Sequence, residues 1–91
     1  LPHPIRMYEG TYSNATLGEM VWTVSGDALE VRMGVAAGRA EVLDASANKL
    51  RIEIAGGGEV VEFQFAADGG AATLLRYDGQ SFVRREGARP R

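Results

Sequence analysis

Residues 19–33 read EMVWTVSGDALEVRM, and this stretch decides the fold. Apolar side chains alternate with mostly polar ones on both sides of Gly26-Asp27: they are Met20, Trp22 and Val24 before it and Leu29, Val31 and Met33 after it. Successive side chains of an extended strand point to opposite faces, so each run predicts a strand with one packed face and one solvated face. A short glycine-containing turn between two such runs is typical of a β-hairpin.

The same alternation recurs along the chain between clusters of glycine, aspartate and asparagine, which favour turns. It predicts eight strands, at about residues 7–13, 18–25, 28–34, 39–45, 49–55, 59–66, 71–77 and 81–86. Short connections favour sequential antiparallel hairpins. A meander of strands leaves two edges, and closing it into a barrel pairs those edges with each other. We therefore predict an all-β fold, a small eight-stranded antiparallel up-and-down barrel, rather than an open or sandwiched sheet.

Two parts of the chain fit this pattern less well. Residues 34–43 contain VAA and AEVL, which could sustain a short helical turn, although Gly38 between them disfavours a helix. Residues 1–7 are predicted to be a linker or an extended N-terminal segment, because Pro2 and Pro4 favour extended backbone. The barrel domain is expected at residues 8–86 and a flexible tail at 87–91.

The composition is that of a folded domain. The 91 residues are 45% hydrophobic and 24% charged, which is close to the average for globular chains and unlike a disordered segment. Cysteine is absent, which excludes a disulfide framework and a cysteine-based zinc site. No run approaches the roughly 18 apolar residues of a membrane span, and the first residues lack the pattern of a signal peptide. A net charge of −2 offers no general attraction for nucleic acid, so we expect no nucleic-acid partner.

Few residues could carry catalysis or bind a metal. His3 is the single histidine, and we expect it to be exposed and inert in the N-terminal segment. Without cysteine or an acidic pair at ligand spacing, we expect no metal site and no cofactor. The basic C-terminus is expected to be a solvated tail and contains Arg84, Arg85, Arg89 and Arg91.

Three short motifs match patterns known from enzymes or from glycosylation sites. Ser46 and Lys49 have the S-x-x-K spacing of penicillin-binding enzymes and serine β-lactamases, in which the serine opens a helix. The triplet YSN at 12–14 matches a Y-x-N pattern of the same enzymes. Because neither motif lies in a predicted helix, we expect no catalysis from them. The triplet NAT at 14–16 is a formal N-glycosylation acceptor, but a turn between two strands accounts for it.

The aromatic residues are the candidates for ligand binding. The candidates lie on the apolar phase of their strands and should face the barrel interior: Tyr12, Trp22, Phe63, Phe65 and Tyr77. The same inward set includes Met20, Leu29, Val31, Leu50 and Ile52. An eight-stranded barrel is near the size at which side chains either fill the interior or leave space for one small ligand. Short strands with bulky inward side chains favour the filled interior, so we interpret these rings chiefly as core.

The sequence resembles the small lipocalin-like β-barrel domains found at the C-terminus of β-lactamase-related serine hydrolases. The likeness begins with YEGTY at 8–12, a Y-x-G-x-Y motif in which glycine between two rings lets a facing chain approach closely. It continues through GEMVWTV at 18–24, GDALEV at 26–31 and VEFQF at 61–65. It ends with LRY at 75–77 and the F-x-R motif at 82–84, so it covers nearly the whole chain.

The resemblance implies an accessory module and carries over no catalytic residue. In such proteins the catalytic serine and lysine belong to a preceding hydrolase domain. It implies packing against that domain, or self-association, and favours a periplasmic or secreted location. The alternative hypothesis is a free-standing lipocalin-like protein that binds a small apolar ligand inside the barrel.

Overall fold

The alternating runs form a closed barrel in a computed structural model that describes residues 3–53, 58–67 and 70–85. The eight strands follow one another around the barrel in sequence order, every neighbouring pair is antiparallel, and β8 closes the barrel by pairing with β1. The strands are β1 Gly10–Asn14, β2 Gly18–Ser25, β3 Ala28–Met33, β4 Ala36–Asp44, β5 Lys49–Ile52, β6 Glu59–Phe65, β7 Ala72–Tyr77 and β8 Gln80–Arg84. Two short 3-10 helices cover Ile5–Tyr8 and Ala45–Ala47. The predicted fold is confirmed.

The N-terminal part of the fold differs from the prediction. Strand β1 begins at Gly10 rather than at residue 7, because Ile5–Tyr8 forms a 3-10 helix. The turn is closed by the Met7 amide, which donates to the Pro4 carbonyl at 2.9 Å. A single turn of this kind has no hydrophobic period of its own to be read from a sequence.

Residues 34–43 form a hairpin and a strand, not a helical turn. Gly34 takes a φ of +63° in the two-residue loop between β3 and β4, a conformation that a β-branched residue would resist. Strand β4 therefore starts at Ala36, three residues before its predicted start at 39. The tail at 87–91 and the predicted strand positions at 54, 55 and 86 lie outside the described residues.

Tight hairpins set the register of the barrel. Ser25 lies opposite Ala28, which leaves only Gly26-Asp27 in the loop, with Gly26 at a φ of +65°. Asp78 and Gly79 in the β7–β8 loop have φ values of +55° and +73°. Positive φ at these loop positions matches the right-handed twist of the flanking strands. A shift of the strand register by one residue would move the inward side chains to the outer face. These loops therefore fix which side chains face inward.

The predicted inward residues form the core. The buried hydrophobic side chains among the described residues are Tyr8, Tyr12, Met20, Trp22, Leu29, Val31, Leu50, Ile52, Val61, Phe63, Ala72, Leu75, Tyr77 and Phe82. Phe65 is half-buried and packs against this cluster. No helix in the described part of the chain is long and apolar enough to cross a membrane.

The outer surface carries opposite charges on neighbouring strands. The directly opposed pairs are Glu30 with Arg39, Glu41 with Arg51, Asp44 with Lys49, Lys49 with Glu62, and Glu62 with Arg76. None of these opposed pairs is within salt-bridge distance among the described residues, but like charges in the same positions would repel. The outer charges therefore support the same register as the inner apolar residues.

Candidate functional site

The barrel interior is the first candidate site, and the structure brings together most of the predicted aromatic residues there. Phe63 lies at the centre, with ring centroids of Trp22, Tyr8 and Tyr12 at 4.9, 5.1 and 5.7 Å. All of these contacts are edge-to-face, the geometry that aromatic quadrupoles favour. Phe63 and its three partners are called the aromatic core below.

Two predicted site residues lie away from this centre. Phe65 sits at the end of the barrel, where its ring stacks on His3 with centroids 3.7 Å apart. Tyr77 pairs instead with Phe82, at 6.2 Å between centroids. His3 is half-buried rather than exposed as predicted, because the 3-10 turn folds the N-terminal segment over the barrel end. We call this end, with Ile5–Tyr8 and the β2–β3 loop, the plugged end.

The tyrosine hydroxyls hold the plugged end in place. The Tyr8 hydroxyl donates to the side-chain oxygen of Asn48 at 2.5 Å. Asn48 directly follows the second 3-10 helix. Tyr12 donates to the Tyr8 carbonyl at 2.8 Å. The Tyr12–Ser13–Asn14 triplet is therefore occupied by structural bonds, since Asn14 also accepts from the Leu17 amide at 2.8 Å and so caps the β1–β2 turn.

Arg84 joins the first and last strands to the N-terminal segment. Its Nη2 donates to the Glu9 carbonyl at 2.7 Å and to the Tyr12 hydroxyl at 2.8 Å, and its Nε donates to the Ala72 carbonyl. The guanidinium carbon also lies 4.9 Å from the Tyr12 ring centroid, within cation–π distance. The prediction that Arg84 belongs to a solvated tail is wrong. Its alternation with Phe82 in β8 was the signal that this side chain faces inward.

Gly10 explains the Y-x-G-x-Y motif. A Cβ atom at Gly10 would overlap Nη1 of Arg84, and the φ of +149° at this position also disfavours an L side chain. The close approach predicted at this glycine is thus made by a guanidinium group rather than by a neighbouring backbone. The Y-x-G-x-Y and F-x-R motifs are two halves of one closure of the barrel.

Burial raises the pKa values of the three tyrosines. Desolvation raises the pKa of Tyr12 to about 12, although the neighbouring Arg84 charge and hydrogen bond lower it. Burial also raises the pKa of Tyr8 and, together with the carboxylates of Glu59 and Asp78, the pKa of Tyr77. Each phenol therefore keeps its proton to a higher pH than an exposed tyrosine does.

These shifts predict alkaline unfolding. The folded chain holds the Tyr12 proton more tightly than the unfolded chain, so the stabilisation is complete below pH 10 and is lost as the pH rises to about 12. A shift of this size corresponds to about 3 kcal/mol. Chemical unfolding between roughly pH 9 and pH 11.5 should show this decline. The Tyr12→Phe variant should show a shallower decline, and an unchanged slope would contradict the assignment.

Ser46 and Lys49 lie in different elements, and no hydrogen bond joins them in the described part of the chain. Ser46 lies in the 3-10 helix at Ala45–Ala47, where its hydroxyl donates to the Asp44 carboxylate at 2.9 Å. Lys49 begins β5 after Asn48, whose left-handed φ of 57° ends the 3-10 helix between them. The residues described contain no group of three His, Cys, Asp or Glu side chains that could hold a metal.

A groove at the plugged end is the second candidate site. It has a volume of about 450 Å³ and lies between the start of β3 and the second half of β4. Its lining is mostly aliphatic and consists of His3, Ile5, Asp27, Ala28, Leu29, Ala40, Val42 and Leu50. The volume is within the range of ligand sites. No sequence pattern predicts this groove, because it depends on where the β3–β4 pairing stops.

Comparison with known proteins identifies the fold alone. Neither the protein-family models nor the curated proteins match this sequence. A crystal structure of SurE is similar to it, with a TM-score of 0.73 and 20% sequence identity. The similarity covers 91% of this chain but 19% of that chain, so this chain spans about a fifth of its length. A barrel of this shape thus occurs as one part of a longer protein.

Proposed function

We propose that the barrel is a non-catalytic interaction module that packs against a partner domain. The observation that carries this proposal is the composition of the interior: every buried side chain among the described residues is hydrophobic. Catalysis needs titratable or nucleophilic groups that converge in a cleft. Here the phenols that reach the interior are held neutral, and the one S-x-x-K serine lies on the surface.

The partner suggested by the sequence is a serine hydrolase domain of the β-lactamase-related class. The resemblance to the lipocalin-like domains of those proteins supports it, and the occurrence of this fold within a longer chain is compatible with it. The closure between Gly10 and Arg84 uses the first and the last of the motifs that carry the resemblance. A second copy of the chain is the other partner that the resemblance suggests.

Acylation tests the non-catalytic part of the proposal. Incubation with a fluorescent penicillin or a serine-directed fluorophosphonate should leave the chain unlabelled, because the Ser46 hydroxyl is exposed and is bonded to the Asp44 carboxylate, with no histidine or lysine on it among the described residues. The Ser46→Ala variant is the matched control for background labelling. Stoichiometric labelling that disappears in this variant would show an active serine and overturn the proposal.

A second function, binding of a small apolar ligand inside the barrel, has one observation in its favour. The indole Nε1 of Trp22 is buried and has no hydrogen-bond partner within the described part of the structure. Buried donors are normally paired, so an acceptor group of a ligand could satisfy this one. The close packing of Phe63 against this indole, 4.9 Å between centroids, favours the filled interior instead.

Fluorescence of Trp22 separates the two functions, since this chain has a single tryptophan. We expect dodecanoate and dodecanol to produce no saturable change in emission, because the aromatic core leaves the indole fully buried. Phe63→Ala, which opens space beside the indole, is the positive control and should bind an apolar probe such as benzene. Saturable quenching of the unmodified chain, with one site per chain, would replace the interaction module by a ligand-binding protein.

A further inference from the structure

Strand β4 continues beyond its partner. The β3–β4 ladder ends where Glu30 lies opposite Arg39, whereas β4 runs on to Asp44. Among the residues that the structure describes, positions 40–44 of this strand have a sheet neighbour, β5, on one side only. We call residues 40–44 the open edge. The barrel is therefore closed by its ladders at one end and parted between β3 and β4 at the plugged end.

The open edge is apolar where a partner could touch it. Val42 and Leu43 are 54% and 52% exposed, and Val42 also lines the groove of about 450 Å³. The floor of that groove includes Leu29 and Leu50, which belong to the core. An occupant of the groove would thus extend the existing hydrophobic core rather than cover an isolated surface residue.

An open strand edge is best completed by another strand. Each strand residue carries an amide and a carbonyl, and the groups that face away from β5 along the open edge are available to pair. An extended peptide that adds to such an edge gains backbone hydrogen bonds, and its alternate side chains enter the adjacent pocket. Beside Ala40 and Val42 those side chains would face the groove, and beside Glu41 they would face outward.

The charges around the open edge indicate the charge of the strand that would bind there. Asp27, on the groove rim, makes no hydrogen bond or ion pair with the described residues, and neither does Glu41, because Arg51 opposite it binds Glu53. Asp44 accepts from the Ser46 hydroxyl and lies opposite Lys49, although the two charged groups are not within salt-bridge distance in the described structure. Arg39, at the inner limit of the edge, lies opposite Glu30. Antiparallel pairing with a second copy centred on Val42 would place Glu41 opposite Leu43 and diagonally across from Glu41 of the other copy, whereas basic side chains of a peptide would lie beside Glu41 and neutralise it.

We infer that the open edge of β4 binds an extended peptide segment in which apolar and basic residues alternate. The apolar side chains enter the groove above Leu29 and Leu50, and the basic ones lie beside Glu41 and Asp27. This inference rests on the proposed function, since it names the surface through which the interaction module binds its partner. It locates that surface at the plugged end, in the groove beside β4 rather than between the rings that surround Phe63.

A short peptide tests the inference directly. The probe is acetyl-Val-Lys-Val-Lys-Val-amide, titrated into isotope-labelled protein and followed by NMR. We expect saturable shifts of the residue 40–44 amides and of the Leu29 and Val42 methyl groups. The same peptide with glutamate in place of lysine should bind at least about tenfold more weakly. Of two analogues N-methylated at the lysines or at the valines, one should lose binding, because alternate amides of a strand face its neighbour.

Matched variants locate the site. Val42→Lys should weaken binding of the lysine peptide at least about tenfold, because it places a charge in the groove. Val83→Lys is the control, since Val83 is 55% exposed on β8, which has a strand on each side. Asp27→Asn should weaken binding and Asp78→Asn, the matching hairpin aspartate at the other end of the barrel, should not.

Three results would overturn the inference. They are equal affinity for the lysine and glutamate peptides, shifts that lie outside the plugged end, and the absence of binding at the solubility limit of the peptide. Sedimentation that shows a dimer dispersed by Val42→Lys would assign the open edge to a second copy instead. None of these results bears on acylation or on the emission of Trp22, so the interaction module would stand and would dock through another surface.

Discussion

Replacing Trp22 by alanine should destabilise the barrel by about 3–5 kcal/mol, the range for removing a large aromatic side chain from a core. Trp22 is fully buried and packs edge-to-face against Phe63 at the centre of the aromatic core. A domain of this size has a total stability of about 5–10 kcal/mol, so most of it should be lost. The measurement is urea unfolding followed by circular dichroism, because the variant has no tryptophan.

Trp22→Phe is the control that separates the effect of side-chain volume from the effect of the indole N–H donor. It keeps an aromatic ring against Phe63 and removes the indole Nε1, which has no partner among the described residues. Loss of an unpaired buried donor relieves a desolvation cost of about 1–3 kcal/mol, which partly offsets the smaller ring. We expect this variant to lie much closer to the unmodified protein than Trp22→Ala. Equal destabilisation by both substitutions would mean that Nε1 has a bound partner.

The parts of the fold that depend on local pattern could be predicted from the sequence. Alternation and turn residues define each hairpin separately, and Gly26-Asp27 and Asp78-Gly79 fix their registers at the loops. Closure followed because an eight-stranded meander leaves two edges that can pair. The inward phase then placed Trp22 and Phe63 in the core without any tertiary information.

The plugged end could not be predicted in the same way. The 3-10 helix at Ile5–Tyr8 is one turn long and is held by tertiary bonds such as that from Tyr8 to Asn48, 40 positions away in sequence. The charge of Arg84 predicts a solvated side chain, but its strand phase, which matches that of Phe82, directs it inward. The open edge of β4 depends on the point at which two strands part, and a periodic pattern does not contain that information.

Removing the Arg84 hydrogen bonds that close the barrel should cause the second-largest loss in the free energy of unfolding. Arg84→Met keeps most of the aliphatic stem but removes the donors to the Glu9 carbonyl and the Tyr12 hydroxyl, together with the Nε bond to Ala72. Hydrogen bonds from a charged donor contribute about 1.5–3 kcal/mol each, but this side chain is partly exposed, so we expect a total loss of about 2–4 kcal/mol. Amide exchange of residues 5–9 should accelerate more than that of β5 or β6, because Arg84 is the link to the N-terminal segment.

A double-mutant cycle with Gly10 tests the contact itself. Gly10→Ala should destabilise the unmodified protein for two reasons: its Cβ displaces the Arg84 guanidinium, and its φ of +149° is unfavourable for alanine. In the Arg84→Met background the second reason remains and the first disappears. We therefore expect Gly10→Ala to be less costly there, with a coupling of about 1–2 kcal/mol between the two positions. Strict additivity would mean that the guanidinium does not occupy the space above Gly10, and the Y-x-G-x-Y and F-x-R motifs would then have separate structural roles.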